Sequence, residues 1–175
     1  MEIEAKYLLM EDGVVYASEP FYTLFPSVET LISEANHSGI EIWQGYLGEK
    51  AGREIIQELN INLEFKPVVF RMREYKGNHV MTIKGEGLAS RDEYEQVISP
   101  EIFLKYWPMT QGRRIHKKRL VKPYRRHKAE IDVYLDRDLI TAEIEVDQEA
   151  ELSGLDRLGS DVTADPKYKN NNLAG

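Results

Sequence analysis

Charged and apolar residues alternate along most of this chain with a period of two. The first stretch sets the pattern, because Glu2, Glu4 and Lys6 are separated by single apolar residues. A β-strand sends alternate side chains to opposite faces, so this stretch predicts a strand with one charged face and one apolar face. Similar stretches predict eight short strands, mostly antiparallel, over residues 2–10, 40–47, 63–74, 79–84, 91–98, 113–122, 129–135 and 141–146.

Amphipathic helices are predicted between these strands. Ser27 is suited to cap a helix over residues 28–36, where apolar residues follow the helical spacing. Ser99 and Pro100 predict the start of a second helix, which Pro108 stops. Residues 48–60 are less regular and predict at most a short helix.

Composition and charge narrow the class of protein. The chain has 175 residues, of which 42% are hydrophobic and 30% charged, and this predicts one globular domain over residues 1–175. Without cysteine there are no disulfides or thiolate zinc sites, which fits a reducing cytoplasm. No apolar run approaches the roughly 20 residues of a membrane helix, and no signal-peptide pattern is present, so we expect a cytoplasmic protein. A net charge of −7 argues against a general nucleic-acid binder.

The charged strand faces can be assembled in two ways. In a sandwich, the apolar faces meet inside and the charges lie in water. In a closed barrel with a polar interior, the charges line the bore and helices cover the outward apolar faces. The predicted helices favour the barrel, but the periodicity alone leaves both open. The charged faces carry Glu2, Glu4, Lys6, Arg71, Arg73, Lys84, Glu93, Glu95, Lys117, Arg119, Glu130, Asp132, Glu143 and Glu145.

Inward charges would need partners, because burying an unpaired ion costs several kcal/mol. Charges of both signs reduce that cost. Carboxylates suit Mg²⁺ or Mn²⁺, which prefer oxygen ligands, and arginine and lysine are the usual partners of phosphate. A charged bore of this kind therefore suits a complex of a divalent metal with a triphosphate.

These residues carry a resemblance to a known family. The chain resembles the CYTH superfamily, the triphosphate tunnel metalloenzymes, over nearly its whole length. Residues 12–39 and 48–67 depart from the simplest members. The matching motifs occur in the family's order, and they are Glu2-x-Glu4-x-Lys6, residues 42–47, Arg71-x-Arg73, residues 82–85, 91–95, Lys117-x-Arg119, 130–134, 142–146 and the tail over 161–174.

The resemblance implies an α+β fold, mainly β: an eight-stranded antiparallel closed barrel with helices packed outside. It implies Mg²⁺ or Mn²⁺ as cofactor, held by Glu2, Glu4, Glu93, Glu95, Asp132, Glu143 and Glu145, with the choice between Glu93 and Glu95 left open. It implies that phosphate oxygens are held by Lys6, Arg71, Arg73, Lys84, Lys117, Arg119 and Lys167. Hydrolysis of a terminal phosphoryl group would depend on Glu4, Lys6, Asp132 and Glu145.

We therefore expect a metal-dependent triphosphatase, with inorganic tripolyphosphate as the first choice of substrate. Three alternatives stay open: a thiamine triphosphatase, a class IV adenylyl cyclase and a polyphosphate-binding module without turnover. The thiamine alternative needs an aromatic platform, for which Trp43 and Trp107 are candidates. The expected partner is a small molecule with a triphosphate group, with no nucleic acid and no membrane, and a homodimer is allowed for. The histidines share no metal-type spacing and are expected to be surface or packing residues.

Overall fold

The computed structural model describes residues 1–175 and consists mainly of antiparallel sheet. Eleven strands are present: β1 (Glu2–Glu11), β2 (Val14–Val15), β3 (Ile40–Leu47), β4 (Val69–Tyr75), β5 (Asn78–Lys84), β6 (Ser90–Arg91), β7 (Glu93–Val97), β8 (Arg114–Tyr124), β9 (His127–Tyr134), β10 (Leu139–Glu145) and β11 (Ser160–Asp161). The α-helices are α1 (Val28–Ser38), α2 (Glu49–Glu58), α3 (Pro100–Tyr106) and α4 (Asn170–Leu173). Short 3-10 helices cover Glu19–Thr23, Trp107–Thr110, Glu149–Gly154 and Pro166–Tyr168.

The strands form one sheet in the order β11-β1-β10-β9-β8-β3-β4-β5-β7, with β2 and β6 paired to β1 off this path. At one edge β7 pairs with β5, and at the other the two-residue β6 reaches β1. The hydrogen-bonded path is therefore open, and the predicted eight-stranded closed barrel is not confirmed. Asp92 separates β6 from β7, and its carbonyl accepts a hydrogen bond from the Gly85 amide instead of a strand partner, at 2.9 Å.

The helices cover the apolar faces of the strands. Helix α1 is capped by Ser27, whose hydroxyl accepts a hydrogen bond from the Thr30 amide at 3.1 Å, and it buries Leu31 against the outer faces of β1, β9 and β10. A second apolar cluster joins β4 and β5 to α2 and α3. Gly52 lets α2 approach the sheet closely, since a Cβ there would lie 2.3 Å from the Phe70 ring.

The charged faces of the strands point inward, and several of their side chains are buried. Lys6 is 3% exposed, Lys117 0% and Asp132 1%, whereas a sandwich would place these side chains in water. The prediction that charges line the interior and helices cover the outside is therefore confirmed, although the ring of strands is not complete. No helix has the length and apolar character needed to cross a membrane.

Several element boundaries differ from the prediction. The strand predicted from residue 63 begins at Val69, because Pro67 cannot donate to a ladder. Strand β8 continues to Tyr124, because beyond Arg119 it pairs with β9 alone and such an edge tolerates Pro123. The short helix predicted within 48–60 is present as α2.

Candidate functional site

The inward faces enclose a charged cavity of about 250 Å³. Seven of its lining residues are basic and seven are glutamates, so the formal charges of the wall cancel. The basic residues are Lys6, Arg71, Arg73, Lys84, Arg91, Arg119 and Lys169. The glutamates are Glu2, Glu4, Glu93, Glu95, Glu130, Glu143 and Glu145, and the remaining lining residues are Tyr46, Val69, Asn170 and Asn171.

An apolar cluster closes one end of the interior. Strand positions two residues along from the charged ones supply it, for example Leu8 after Lys6 and Val69 before Arg71. The C-terminal segment adds Tyr168 to this cluster, and the Tyr168 carbonyl accepts a hydrogen bond from Lys6 Nζ at 2.5 Å. The cavity therefore borders an apolar cluster to which both the strands and the tail contribute.

Most basic groups of the cavity are paired with a carboxylate. Lys84 Nζ lies 2.8 Å from Glu2 Oε1, and Lys6 Nζ lies 3.4 Å from Glu143 Oε1. Burial would raise the pKa of Glu143, but the positive charges of Lys6, Arg119 and Lys117 hold it well below the ordinary value. Burial would also raise the pKa of Glu2, but the positive charge of Lys84 lowers it.

A closed network of ion pairs lies on the inward faces of β8 and β9. Asp132 accepts hydrogen bonds from Lys117 Nζ at 2.7 Å and from Arg119 Nε at 2.7 Å and Nη2 at 2.9 Å. Glu130 accepts from Arg119 Nη1 at 2.5 Å. Burial opposes ionisation of Asp132, but Arg119 and Lys117 outweigh it and lower its pKa. Burial lowers the pKa of Lys117 to about 7, even though Asp132 opposes that change.

Three glutamates of the cavity are crowded by other carboxylates. Burial, Glu143 and Glu2 raise the pKa of Glu4 well above the ordinary value. Burial and Glu2 raise the pKa of Glu93. Burial, Glu2 and Glu130 raise the pKa of Glu145. Each of these groups would be stabilised as an anion by an added positive charge.

Two basic residues of the cavity have no carboxylate within ion-pairing distance: Arg73 and Lys169. Arg73 is held by the amide oxygen of Gln44, and Lys169 Nζ donates to the carbonyl of Leu88. A further donor, Arg71 Nε, is buried without a hydrogen-bond acceptor. Buried donors normally have acceptors, so these groups are placed to receive an anion.

The carboxylates of the cavity suit a divalent cation, but they do not converge on one point in this structure. No group of three or more carboxylates or histidines lies close enough together to hold a metal ion. The reason is that Glu2, Glu143 and Glu95 are each turned toward a basic partner. Carboxylate oxygens are the ligands that Mg²⁺ and Mn²⁺ prefer, and the crowding around Glu4 favours a cation beside it.

Comparison with known proteins identifies the family of this chain. No family model matches the chain. The inorganic triphosphatase of Nitrosomonas europaea is 34% identical over 113 residues, which are 61% of this chain and 75% of that protein. The chain belongs to the CYTH superfamily.

Solved structures support the fold of this CYTH chain. The inorganic triphosphatase NE1496 is 26% identical and matches 99% of this chain and 94% of its own, with a TM-score of 0.55. A candidate adenylate cyclase from Bacillus halodurans is 16% identical, matches 88% of this chain and 84% of its own with a TM-score of 0.53, and is similar in fold alone.

The structure brings together most of the residues that the CYTH resemblance selects. The ones that line the cavity are Glu2, Glu4, Lys6, Arg71, Arg73, Lys84, Glu93, Glu95, Arg119, Glu143 and Glu145. Lys117 and Asp132 lie in the wall beneath it and are fully paired with each other. Lys167 lies outside, where its ammonium group is exposed and lies 3.5 Å from Glu11. The roles of these residues stay predictions.

Seven of the lining residues were not among the predicted site residues: Tyr46, Val69, Arg91, Glu130, Lys169, Asn170 and Asn171. The signal for Arg91 was its position in the motif over residues 91–95. In the structure it lies opposite Glu2 in the register of β6 and β1. The tail residues had no periodicity to reveal them. They reach the cavity because the tail is held to β1 and β9, where the Lys6 amide donates to Thr163 Oγ1 at 2.9 Å and Tyr134 Oη donates to Asn170 Oδ1 at 2.6 Å.

No histidine lines the cavity, in agreement with the expected packing roles. His79, His116 and His127 each face a glutamate on the outside of the sheet, at Glu74, Glu41 and Glu151. His37 is exposed at the end of α1.

Proposed function

We propose that this protein hydrolyses inorganic tripolyphosphate with the help of Mg²⁺ or Mn²⁺. The observation that carries the proposal is the cavity wall, in which seven basic groups and seven carboxylates surround a space of about 250 Å³. The relationship to inorganic triphosphatases supports the same substrate. The whole chain would act as one domain. In it, β6 and β7 together would take the place of the eighth strand of the barrel.

The balanced charge of the wall favours a metal and a polyanion bound together. A triphosphate alone would leave the cavity strongly negative, and a divalent ion alone would leave it positive. Bound together they offset each other, and both kinds of side chain are satisfied. In this proposal the phosphate oxygens bind Lys6 in place of Glu143 and Lys84 in place of Glu2. The two carboxylates are then free to bind the cation.

The lining favours an inorganic substrate over one with an aromatic head group. Trp43 lies on the outer face of β3, where its ring stacks on His116 with centroids 3.5 Å apart. Trp107 packs on Phe103 and under Arg114, also outside the cavity. Neither tryptophan is placed to stack on a thiamine or adenine ring inside, and only Tyr46 and Val69 among the lining residues are apolar or aromatic.

The basic groups bind and orient the substrate in this proposal. Arg71 offers its unpartnered Nε, Arg73 offers an uncompensated guanidinium, and Lys169 adds a second charge without a carboxylate partner. Charge-assisted bonds to phosphate stabilise the charge that develops on the transferring and leaving groups. Lys117 and Asp132 would support Arg119 from beneath the cavity.

The metal would be held by Glu2, Glu4, Glu143 and Glu145, with Glu93 or Glu95 beside them. The chemistry that a bound Mg²⁺ or Mn²⁺ supplies is Lewis-acid neutralisation of phosphate charge and activation of a water molecule.

The test is phosphate release from tripolyphosphate, thiamine triphosphate and ATP, with Mg²⁺ and with Mn²⁺. The variant Glu4→Gln keeps the size of the side chain and removes its charge. Glu54→Gln, on the exposed face of α2, is the matched control. We expect turnover of tripolyphosphate by the wild type and the control, and a loss of about 100-fold or more in Glu4→Gln.

Other outcomes point to the alternative functions. Faster turnover of thiamine triphosphate would mean that the organic group binds outside the described lining. Cyclic AMP formed from ATP would select a cyclase. Tight binding of tripolyphosphate without any product would leave a binding module, and the hydrolase proposal would then be wrong.

A further inference from the structure

Gln44 lies at the point where the cavity keeps a positive charge without a counter-ion. It is fully buried (0% exposed) on β3 and pairs with Arg73 of β4 in the sheet register. Its Oε1 accepts two hydrogen bonds from Arg73, from Nε at 3.1 Å and from Nη2 at 2.8 Å. A guanidinium can only donate, so the amide oxygen must be the atom that faces it.

The other end of the same amide is fixed as well. Gln44 Nε2 donates to the hydroxyl of Tyr46 at 2.8 Å, and Tyr46 lines the cavity. Because this hydroxyl accepts from Gln44, its own proton is available for an oxygen atom in the cavity. Gln44 thus orders two donors at once, a guanidinium and a phenol.

The two other arginines of neighbouring strands are treated differently. Arg119 is held by the carboxylates of Asp132 and Glu130, and Arg71 lies 3.7 Å from Glu95. A carboxylate orients a guanidinium but also cancels its charge. The neutral amide of Gln44 orients Arg73 through two hydrogen bonds to one oxygen and leaves the charge intact.

We propose that Gln44 is a positioning residue that aims Arg73 at a phosphate group of the substrate and preserves its full positive charge. The inference rests on the proposed function, because it assumes a polyanion in the cavity. It makes the chemical type of residue 44 decisive. A glutamate of nearly the same shape would hold Arg73 equally well but would neutralise it.

The deciding variant is therefore Gln44→Glu. Binding of tripolyphosphate is measured by calorimetry without metal, and kcat and KM are measured with Mn²⁺. We expect Kd and KM to rise about 10- to 100-fold, as for the loss of one charged hydrogen-bonding partner. The thermal unfolding midpoint should stay equal or rise, since Arg73 gains an ion pair. A residue with a merely structural role would give unchanged affinity when its shape is kept.

Two further variants separate charge from orientation. Gln44→Met keeps the length of the side chain, removes the acceptor and leaves Arg73 charged, so KM should rise by a smaller factor, about 5- to 10-fold. In an Arg73→Met background, the further loss caused by Gln44→Met should be smaller than in the wild type, because the part that acts through Arg73 is already gone and only the contact with Tyr46 remains. Gln57→Glu, the same change on the exposed surface of α2, controls for net charge.

The outcomes are distinguishable. Wild-type protein that neither binds nor hydrolyses tripolyphosphate defeats the proposed function, and the role of Gln44 fails with it. Wild-type binding with Gln44→Glu within twofold of it defeats the role of Gln44 alone. Fully additive losses in the double variant do the same. If Gln44→Glu does not fold, Gln44→Met decides, and unchanged affinity in that variant overturns the inference.

Discussion

Two groups of charged side chains on the inward faces differ in how they are compensated. Lys117, Asp132 and Arg119 form a network in which each charge has a partner of opposite sign, and Lys117 has no contact with solvent. In the cavity beside it, Arg73 has only an amide, and Glu4 is crowded by carboxylates. Both regions are buried and strongly charged.

The difference shows that burial of charge does not by itself mark a functional site. A fully paired network can hold strands together without binding anything. Incomplete pairing has a cost that a ligand can remove, and it is therefore the better sign of a site. The two regions should respond in opposite ways to the same kind of substitution, with a loss of stability in one and a loss of binding in the other.

The largest expected effect comes from breaking the paired network. Asp132→Asn removes the anion shared by Lys117 and Arg119, so that Lys117 keeps no carboxylate partner and Arg119 keeps only Glu130. We expect a loss of about 3–5 kcal/mol in the free energy of unfolding at neutral pH, measured by urea denaturation. Asp138→Asn, in an exposed turn, should stay within about 0.5 kcal/mol of the wild type. A similar small loss for Asp132→Asn would mean that the network does not stabilise the fold.

The same network sets the behaviour in acid. The folded-state pKa of Asp132 lies below its unfolded value, so its contribution is present above the unfolded pKa and is lost as pH falls toward the folded one. The wild type should therefore lose stability more steeply than Asp132→Asn below about pH 4. Denaturation curves at a series of pH values measure both slopes, and parallel slopes would contradict the assignment.

A second, smaller effect should appear in the cavity as coupling between ligands. Lys84 and Lys6 hold glutamates that a cation would need, so a polyanion that takes these lysines should help the cation to bind. We expect Mn²⁺ and a non-hydrolysable imido analogue of tripolyphosphate to raise each other's affinity about 5- to 150-fold, the usual range of such coupling. Calorimetry of each ligand with and without the other measures this factor, after correction for the complex that they form in solution.

A matched variant makes the coupling specific. Lys84→Met removes the closer of the two basic partners of Glu2 and leaves Arg91 at 3.7 Å, so Mn²⁺ should bind Glu2 better without the anion and the coupling factor should shrink. Lys118→Met, on the outer face of β8, should leave the factor unchanged. Equal coupling in all three proteins would show that the ion pairs are not what links the ligands.

The smallest effect is a gain in stability from Glu4→Gln in metal-free protein. Burial, Glu143 and Glu2 raise the folded-state pKa of Glu4, so its ionised form destabilises the fold at neutral pH. Removing the charge should stabilise the protein by about 1 kcal/mol, and this advantage should shrink as pH falls toward the unfolded pKa. Thermal unfolding with a chelator present measures it. A lower midpoint for Glu4→Gln would mean that the glutamate is already compensated.

Much of the fold could be predicted from the period-two pattern. The inward set of charges followed from it once the helices were taken to cover the apolar faces, and β3 and β5 lie within one residue of their predicted limits. The open path of the sheet could not be predicted. The break at Asp92 depends on a hydrogen bond from the Gly85 amide, and the period-two pattern does not show that bond. The apolar cluster beside the cavity was not predicted either, since the tail residues that complete it have no periodicity.

The sequence by itself determined which residues share a face, because the geometry of a strand fixes that relation locally. It therefore grouped Arg71 with Arg73 and Lys117 with Arg119, and the family resemblance implied that these faces share one interior with Asp132. Only the tertiary structure decided which of them are neutralised, because ion pairing depends on register between strands far apart in the chain. Arg119 meets Asp132 across β8 and β9, and Arg73 meets Gln44 across β3 and β4. That difference in partner separates a charge that is already compensated from one that is left without a counter-ion.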